Sequence, residues 1–319
     1  MVMNSLPVTL LFALVVQTVA EVRVALSYAA LGDSYAAGDG AGSSRLLPRF
    51  DITCGRFSGA YPVQVANSTK IAISEYGFQN LACGGASSLS ILFSQVPKIS
   101  DSDIVTITVG GNEVDFFAVL NACVHQWWPS EPCEKEMAKA RALVQSSTFL
   151  ANFNKMVAQT KRLVKPDARL LVTGYAAFFN DEAEQCNSVS FSRRDPHNVL
   201  TNELRKSFNQ MVRMINDVIR AAAEAHEATY VDVDRLFEGH RFCEEGVVEP
   251  SDRNDTWFFN INLKDSESRS SGARDRNAQK VLPESIKDFF DLTKTFHPTT
   301  LGHQAIAEEI VNLVKGKFM

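Results

Sequence analysis

Four short stretches of this chain carry groups suited to acyl chemistry: Ser34 in LGDSYAAG, Gly85 in NLACGGASS, Asn112 in VGGNEVDF and His297 in TFHPTTLGHQAIA. A serine hydroxyl attacks a carbonyl when a base takes its proton and N–H donors receive the charge that develops on the carbonyl oxygen. His297 is of the right type to be that base. Gly85 lets a backbone N–H approach a substrate with no Cβ in the way. Asn112 donates a hydrogen bond without a charge that would repel an oxyanion. Each residue also has a plainer reading: Asp33 and Ser34 as caps of the next helix, Gly85 as a turn glycine beside Gly84, Asn112 as a turn residue after Gly110-Gly111. The G-x-S-x-G elbow is absent around Ser34, which closes that route to an activated serine.

The elements that must position these groups are legible in the apolar runs. YAALG (28–32), IAISEYGF (71–78), DIVTITVGG (103–111), ARLLVTGYAAFF (168–179) and ATYVDVDRLF (228–237) read as strands buried on both faces, hence a parallel sheet covered by helices. Between and after them lie amphipathic helices. One carries Leu204, Phe208, Met211, Ile215 and Ile219 at three- and four-residue spacing; the C-terminal one carries Ile306, Ile310, Leu313 and Val314. This is a doubly wound α/β pattern, in which function collects at the carboxyl ends of the strands. Ser34 and Asn112 both fall at that edge, so the fold predicts that they are neighbours.

With 319 residues, 45% of them hydrophobic, the chain can bury a core without metals or partners. A net charge of -5 gives no basic stripe for nucleic acid. Residues 1–20, MVMNSLPVTLLFALVVQTVA, read as a secretory signal cleaved near Ala20, although no Lys or Arg precedes the apolar run. No later run is long enough for a membrane anchor. Export fits the six cysteines, Cys54, Cys83, Cys123, Cys133, Cys186 and Cys243, as three disulfides; spacing alone leaves fifteen pairings open. Asn67-Ser68-Thr69 and Asn254-Asp255-Thr256 are glycosylation sequons. Lys264–Lys280 is polar without period and reads as an exposed loop, either a lid or a passive insertion. His125, His197, His226, His240 and His303 lack metal-ligand spacing, and no metal or cofactor is expected.

Taken in series, the four stretches resemble the SGNH hydrolases, also called GDSL esterases and lipases, and the resemblance spans nearly all of residues 21–319 as one domain. It implies a flavodoxin-like three-layer αβα fold with a parallel sheet, and Ser34 as nucleophile with His297 as general base. It also implies an oxyanion hole of the Ser34 N–H, the Gly85 N–H and the Asn112 amide. Similarity to secreted actinobacterial and fungal members with six cysteines implies the pairs Cys54–Cys83, Cys123–Cys133 and Cys186–Cys243. The first would hold the Gly85 loop near the serine.

Two residues depart from the family pattern. Glu113 stands where Asp is usual, and Lys294 occupies the position, three before His297, where most members place an Asp that orients the imidazole. An ammonium cannot accept the imidazole N–H. The backbone carbonyl of Lys294 is the expected substitute, giving a Ser-His dyad; Asp291 is the competing orienter and Asp288 a weaker one. The expected function is a secreted, monomeric, metal-free carboxylic ester hydrolase acting on a lipid ester, an acetylated sugar or a small acyl ester. Phe116-Phe117 and Trp127-Trp128 read either as acyl-pocket lining or as core. The alternatives are an acyltransferase on the same fold and a secreted binding protein whose chemistry lapsed with the orienting Asp.

Overall fold

The structure is a computed structural model and describes residues 25–42, 54–99, 101–192, 194–251, 255–260 and 294–318. The signal segment, the Lys264–Lys280 loop, Asp288, Asp291 and Asn254 lie outside the described residues. Along the chain run β1 (Leu26–Gly32), α1 (Ser34–Ala37), α2 (Tyr61–Ala66), β2 (Ile73–Asn80), α3 (Ser88–Ser90) and β3 (Ile104–Thr108). There follow α4 (Phe116–Leu120), α5 (Cys133–Val144), α6 (Ser147–Leu163), β4 (Arg169–Thr173), α7 (Asn202–Ala225), β5 (Thr229–Val231), α8 (Val233–Leu236) and α9 (Thr300–Phe318).

The five strands form one parallel sheet in the order β2-β1-β3-β4-β5. From β1 the chain steps outward to β2, then crosses back over β1 to β3 and continues to β4 and β5. Right-handed crossovers in opposite directions put their helices on opposite faces. Accordingly α2 packs with α9, whereas α6 packs with α5 and α7. β3, in the middle, is buried along its whole length; β2, at the edge, exposes Glu75 and Tyr76. The reversal of direction falls at β1, so the loops after β2 and β3 flank the residues that follow β1.

The apolar run 168–179 is strand only as far as Thr173. Beyond it α7 supplies hydrogen bonds that the ladder does not. Asn216 donates to the Tyr175 carbonyl and accepts the Tyr175 N–H, both at 2.8 Å, and Asn209 donates to the Phe179 carbonyl at 2.7 Å. A buried backbone needs such partners, and here one helix face provides them between its apolar Phe208, Met211, Ile215 and Ile219.

All three disulfides have the pairing that the resemblance implies. No helix among the described residues is long and apolar enough to cross a membrane.

Candidate active site

β1 ends at Gly32, whose positive φ of 149° and whose hypothetical Cβ, 2.5 Å from the Thr108 carbonyl oxygen, admit only glycine. The Gly32 peptide is clamped by the buried Gln95: its N–H donates to Oε1 at 2.8 Å, and its carbonyl accepts from Nε2 at 2.9 Å. Asp33 is then the N-cap of α1, its Oδ1 accepting the Tyr35 N–H at 2.9 Å. The cap reading of Asp33 is therefore correct, and it leaves Ser34 as the first helical residue, where an N–H has no partner within its own helix.

Ser34 Oγ lies 2.7 Å from His297 Nε2, across 263 positions of sequence. Tyr35 ties these two ends together. Its hydroxyl donates to the Phe296 carbonyl at 2.7 Å, and its ring centroid lies 5.0 Å from that of His297. Phe296 holds the left-handed φ of 66°, a conformation that costs a non-glycine residue roughly 1–3 kcal/mol. It persists because its ring is wedged among Phe178, Phe179, Phe242 and His125, with centroids 4.9 to 5.6 Å away. Such pairs each contribute about 0.5–1.5 kcal/mol beyond area burial, enough to offset the strain.

The Gly85 loop follows β2. Cys83 N–H donates to the Gly32 carbonyl at 3.0 Å, Gly84 N–H to the Cys54 carbonyl at 2.9 Å, and the Cys54–Cys83 bridge joins the same two segments. Ala86 N–H closes a turn onto the Cys83 carbonyl, with Gly85 at φ 76°. Gly85 is thus a turn glycine, yet a Cβ built there would meet nothing within 4 Å. The positive φ, not crowding, demands glycine, and the space beside it is open.

Asn112 follows β3. Its Nδ2 donates to the Ala86 carbonyl at 2.9 Å, which fixes the amide against the Gly85 loop and leaves a second N–H on the same nitrogen. The longer side chain of Glu113 reaches the same loop from below, Oε1 accepting the Ser88 N–H at 2.5 Å. Burial raises the Glu113 carboxyl above its usual range, opposed by that N–H.

At the His297 turn, the Lys294 carbonyl accepts the backbone N–H of His297 at 2.9 Å, which uses one of its two lone pairs. The Lys294 ammonium stands 5.7 Å above the centre of the Phe259 ring.

Sequence reasoning missed Tyr35, Gln95, Tyr175 and Asn216. The signal for Tyr175 was present: it follows the end of β4 by two residues, as Ser34 follows β1. Of the aromatic candidates, Phe116 is buried, whereas Phe117 and Trp128 are exposed, with ring centroids 5.6 Å apart. Asn67 of the first sequon is exposed. No group of metal-ligating side chains occurs among the described residues.

Asp33 and His303 are buried titratable groups near Ser34 and His297. Burial pushes the Asp33 carboxyl up to about 7, opposed by hydrogen bonds from Tyr175 and Tyr35. Burial, and then the charge of His297, push His303 down to about 3; neither of its ring nitrogens has a hydrogen-bond partner among the described residues. The usual values are about 3.9 and 6.5. An Asp with a raised folded value contributes stability that is present below about pH 4 and is lost as pH rises through about 7. A His with a depressed folded value does the reverse: its contribution is present above about 6.5 and is lost as pH falls towards about 3. Each gradient runs at up to about 1.4 kcal/mol per pH unit, and over pH 4.5–6.5 the two oppose each other. Relative to the parent, Asp33→Asn should therefore gain in Tm as pH rises across this window, and His303→Leu should gain as pH falls. Thermal melts in which both differences stayed flat would refute this assignment.

The GDSL-like lipase/acylhydrolase family model matches residues 30–305. The chain is 31% identical over 220 residues to a lipase of Streptomyces rimosus, covering 69% of this chain and 74% of that one. It is also 31% identical over 225 residues to lipase 1 of Streptomyces coelicolor, covering 70% and 75%. Among solved structures, an extracellular lipase from Streptomyces rimosus superposes with a TM-score of 0.65 at 25% identity, over 91% of this chain and all of that one. A phospholipase A1 from Streptomyces albidoflavus gives 0.64 at 25% identity, over 91% and 99%.

Proposed function

The chain belongs to the GDSL-like lipase/acylhydrolase family and is a serine ester hydrolase, and we propose that Ser34 and His297 perform its chemistry as a dyad. The observation that carries this is the 2.7 Å contact between Ser34 Oγ and His297 Nε2 at the carboxyl edge of the sheet. Ser34 Oγ attacks the ester carbonyl carbon while Nε2 takes the hydroxyl proton. The oxyanion so formed is received by the Ser34 N–H, the Gly85 N–H and the Asn112 amide. Collapse of the tetrahedral species expels the alcohol, protonated by His297. Water, deprotonated by the same nitrogen, then attacks the acyl-serine and releases the acid.

The orienting acceptor is the carbonyl of Lys294, held close to His297 by their shared turn. Asp291→Asn should then leave kcat within about threefold, whereas loss of a true orienting carboxylate costs up to about 10⁴. A hundredfold drop with unchanged circular dichroism would transfer the role to Asp291.

The substrate is a lipid ester. Relatives named lipase and phospholipase A1 support this, as does the exposed Phe117–Trp128 pair close in sequence to Asn112. Export, with removal of residues 1–20, is supported by the three disulfides and by the extracellular lipase among the relatives. Initial rates on p-nitrophenyl acetate, butyrate and palmitate test the substrate reading: turnover should extend to the palmitate, and activity confined to acetate would overturn it.

A further inference from the structure

Tyr175 is buried, and burying a hydroxyl is unfavourable unless it is hydrogen-bonded. Here the hydroxyl is bonded twice. It donates to Asp33 Oδ2 at 2.5 Å and accepts the Gly111 N–H at 3.1 Å. These partners are the residues immediately before Ser34 and immediately before Asn112. The tyrosine is itself fixed at its main chain, since Asn216 of α7 takes both its N–H and its carbonyl at 2.8 Å. Its ring meets Tyr35 edge-on, with centroids 5.0 Å apart. The Gly110 turn rests on the same helix: a Cβ there would lie 3.2 Å from Ile215 and 3.8 Å from Ile219.

We propose that Tyr175 is a positioning residue that sets the separation of Ser34 from Asn112, by bridging the cap of the nucleophile turn to the loop that carries the oxyanion donor. This inference rests on the roles proposed above for Ser34 and Asn112. The Gly110-Gly111 turn lies beyond the last paired residue of β3 and has no side chain with which to anchor itself. Without the hydroxyl, the Gly111 N–H and Asp33 Oδ2 lose the group that joins them. A small displacement of an oxyanion donor weakens the transition state more than the bound ester, because the full charge exists only in the former.

The test is a double-mutant cycle of Tyr175→Phe with Asn112→Ala, on p-nitrophenyl butyrate at pH 8. Tyr175→Phe alone should lower kcat by about 10- to 100-fold with KM changed less than twofold, a split that general loosening of the fold would not give. In the Asn112→Ala background the same change should cost less than threefold, since its route to the oxyanion is already gone. If Asn112→Ala is impaired but Tyr175→Phe is silent, or the two losses multiply, this inference falls and the oxyanion assignment stands. If Asn112→Ala is itself silent, both fall. Should Tyr175→Phe not fold, Asn216→Ser, which frees the main chain of Tyr175 and keeps its hydroxyl, should lower kcat at constant KM; a parental kcat would overturn the inference.

Discussion

Ser34→Ala should reduce kcat for p-nitrophenyl butyrate by on the order of 10⁶, and His297→Ala by a similar factor, with the double variant no worse than either. The non-additivity is the informative part. In the proposed dyad Oγ and Nε2, 2.7 Å apart, act on one proton, so removing either partner leaves the other nothing to do. What survives comes from substrate binding and the oxyanion donors alone. Neither substitution should unfold the protein, because Ser34 and His297 are half-buried and the turns that hold them are fixed by other residues, Asp33 and Gln95 on one side, Phe296 and Tyr35 on the other. Initial rates on protein of verified fold check this; substantial turnover by Ser34→Ala would remove Ser34 from the chemistry.

Asn112→Ala should lower kcat by about 10²–10³ with a much smaller change in KM, the usual loss when one oxyanion donor is deleted. The magnitude depends on how well the amide is held. Asn112 Nδ2 is aimed by the Ala86 carbonyl at 2.9 Å, and the Ala86 segment is secured by Glu113 through the Ser88 N–H. A donor aimed by a secured loop reorganises little when charge develops, and preorganisation gives such a bond its value. A change confined to KM would show instead that Asn112 binds the ester without favouring its transition state. Steady-state rates over a full substrate range separate the two outcomes.

The fold was legible because strands buried on both faces announce themselves as unbroken apolar runs. YAALG lies within β1, which starts two residues earlier, and DIVTITVGG contains β3, which ends three residues sooner. ARLLVTGYAAFF was over-read: after Thr173 its apolar side chains remain buried, but beyond the Gly174 N–H, which still reaches Val231 of β5, its backbone bonds to Asn216, Asn209 and other groups outside the strand ladders. Apolarity reports burial and is silent about which group takes the backbone hydrogen bonds. Ser34, Gly85, Asn112 and His297 stood out because their four short motifs, taken in series, resemble those of a known family. Tyr35, Gln95, Tyr175 and Asn216 were not, since one tyrosine in an apolar run, or one amide on an amphipathic helix, looks like ordinary core or ordinary surface. Their partners lie 41 to 261 positions away. The polar interruptions at Arg205, Asn209 and Asn216 in the apolar face of α7 were the visible trace of this work. The capping and nucleophile readings of Asp33-Ser34 are not rivals in the folded chain: Asp33 caps α1, and the Ser34 hydroxyl beside it lies 2.7 Å from His297 Nε2.

The most direct test of the account is covalent capture of the nucleophile with diethyl p-nitrophenyl phosphate, which a serine activated beside an oxyanion hole displaces with release of p-nitrophenolate. Peptide mass spectrometry should find one diethylphosphoryl group, on Ser34, accumulating in step with the loss of esterase activity and absent from His297→Ala on the same time scale. Complete inactivation with the label on another residue, or full labelling of Ser34 with turnover intact, would contradict the assignment.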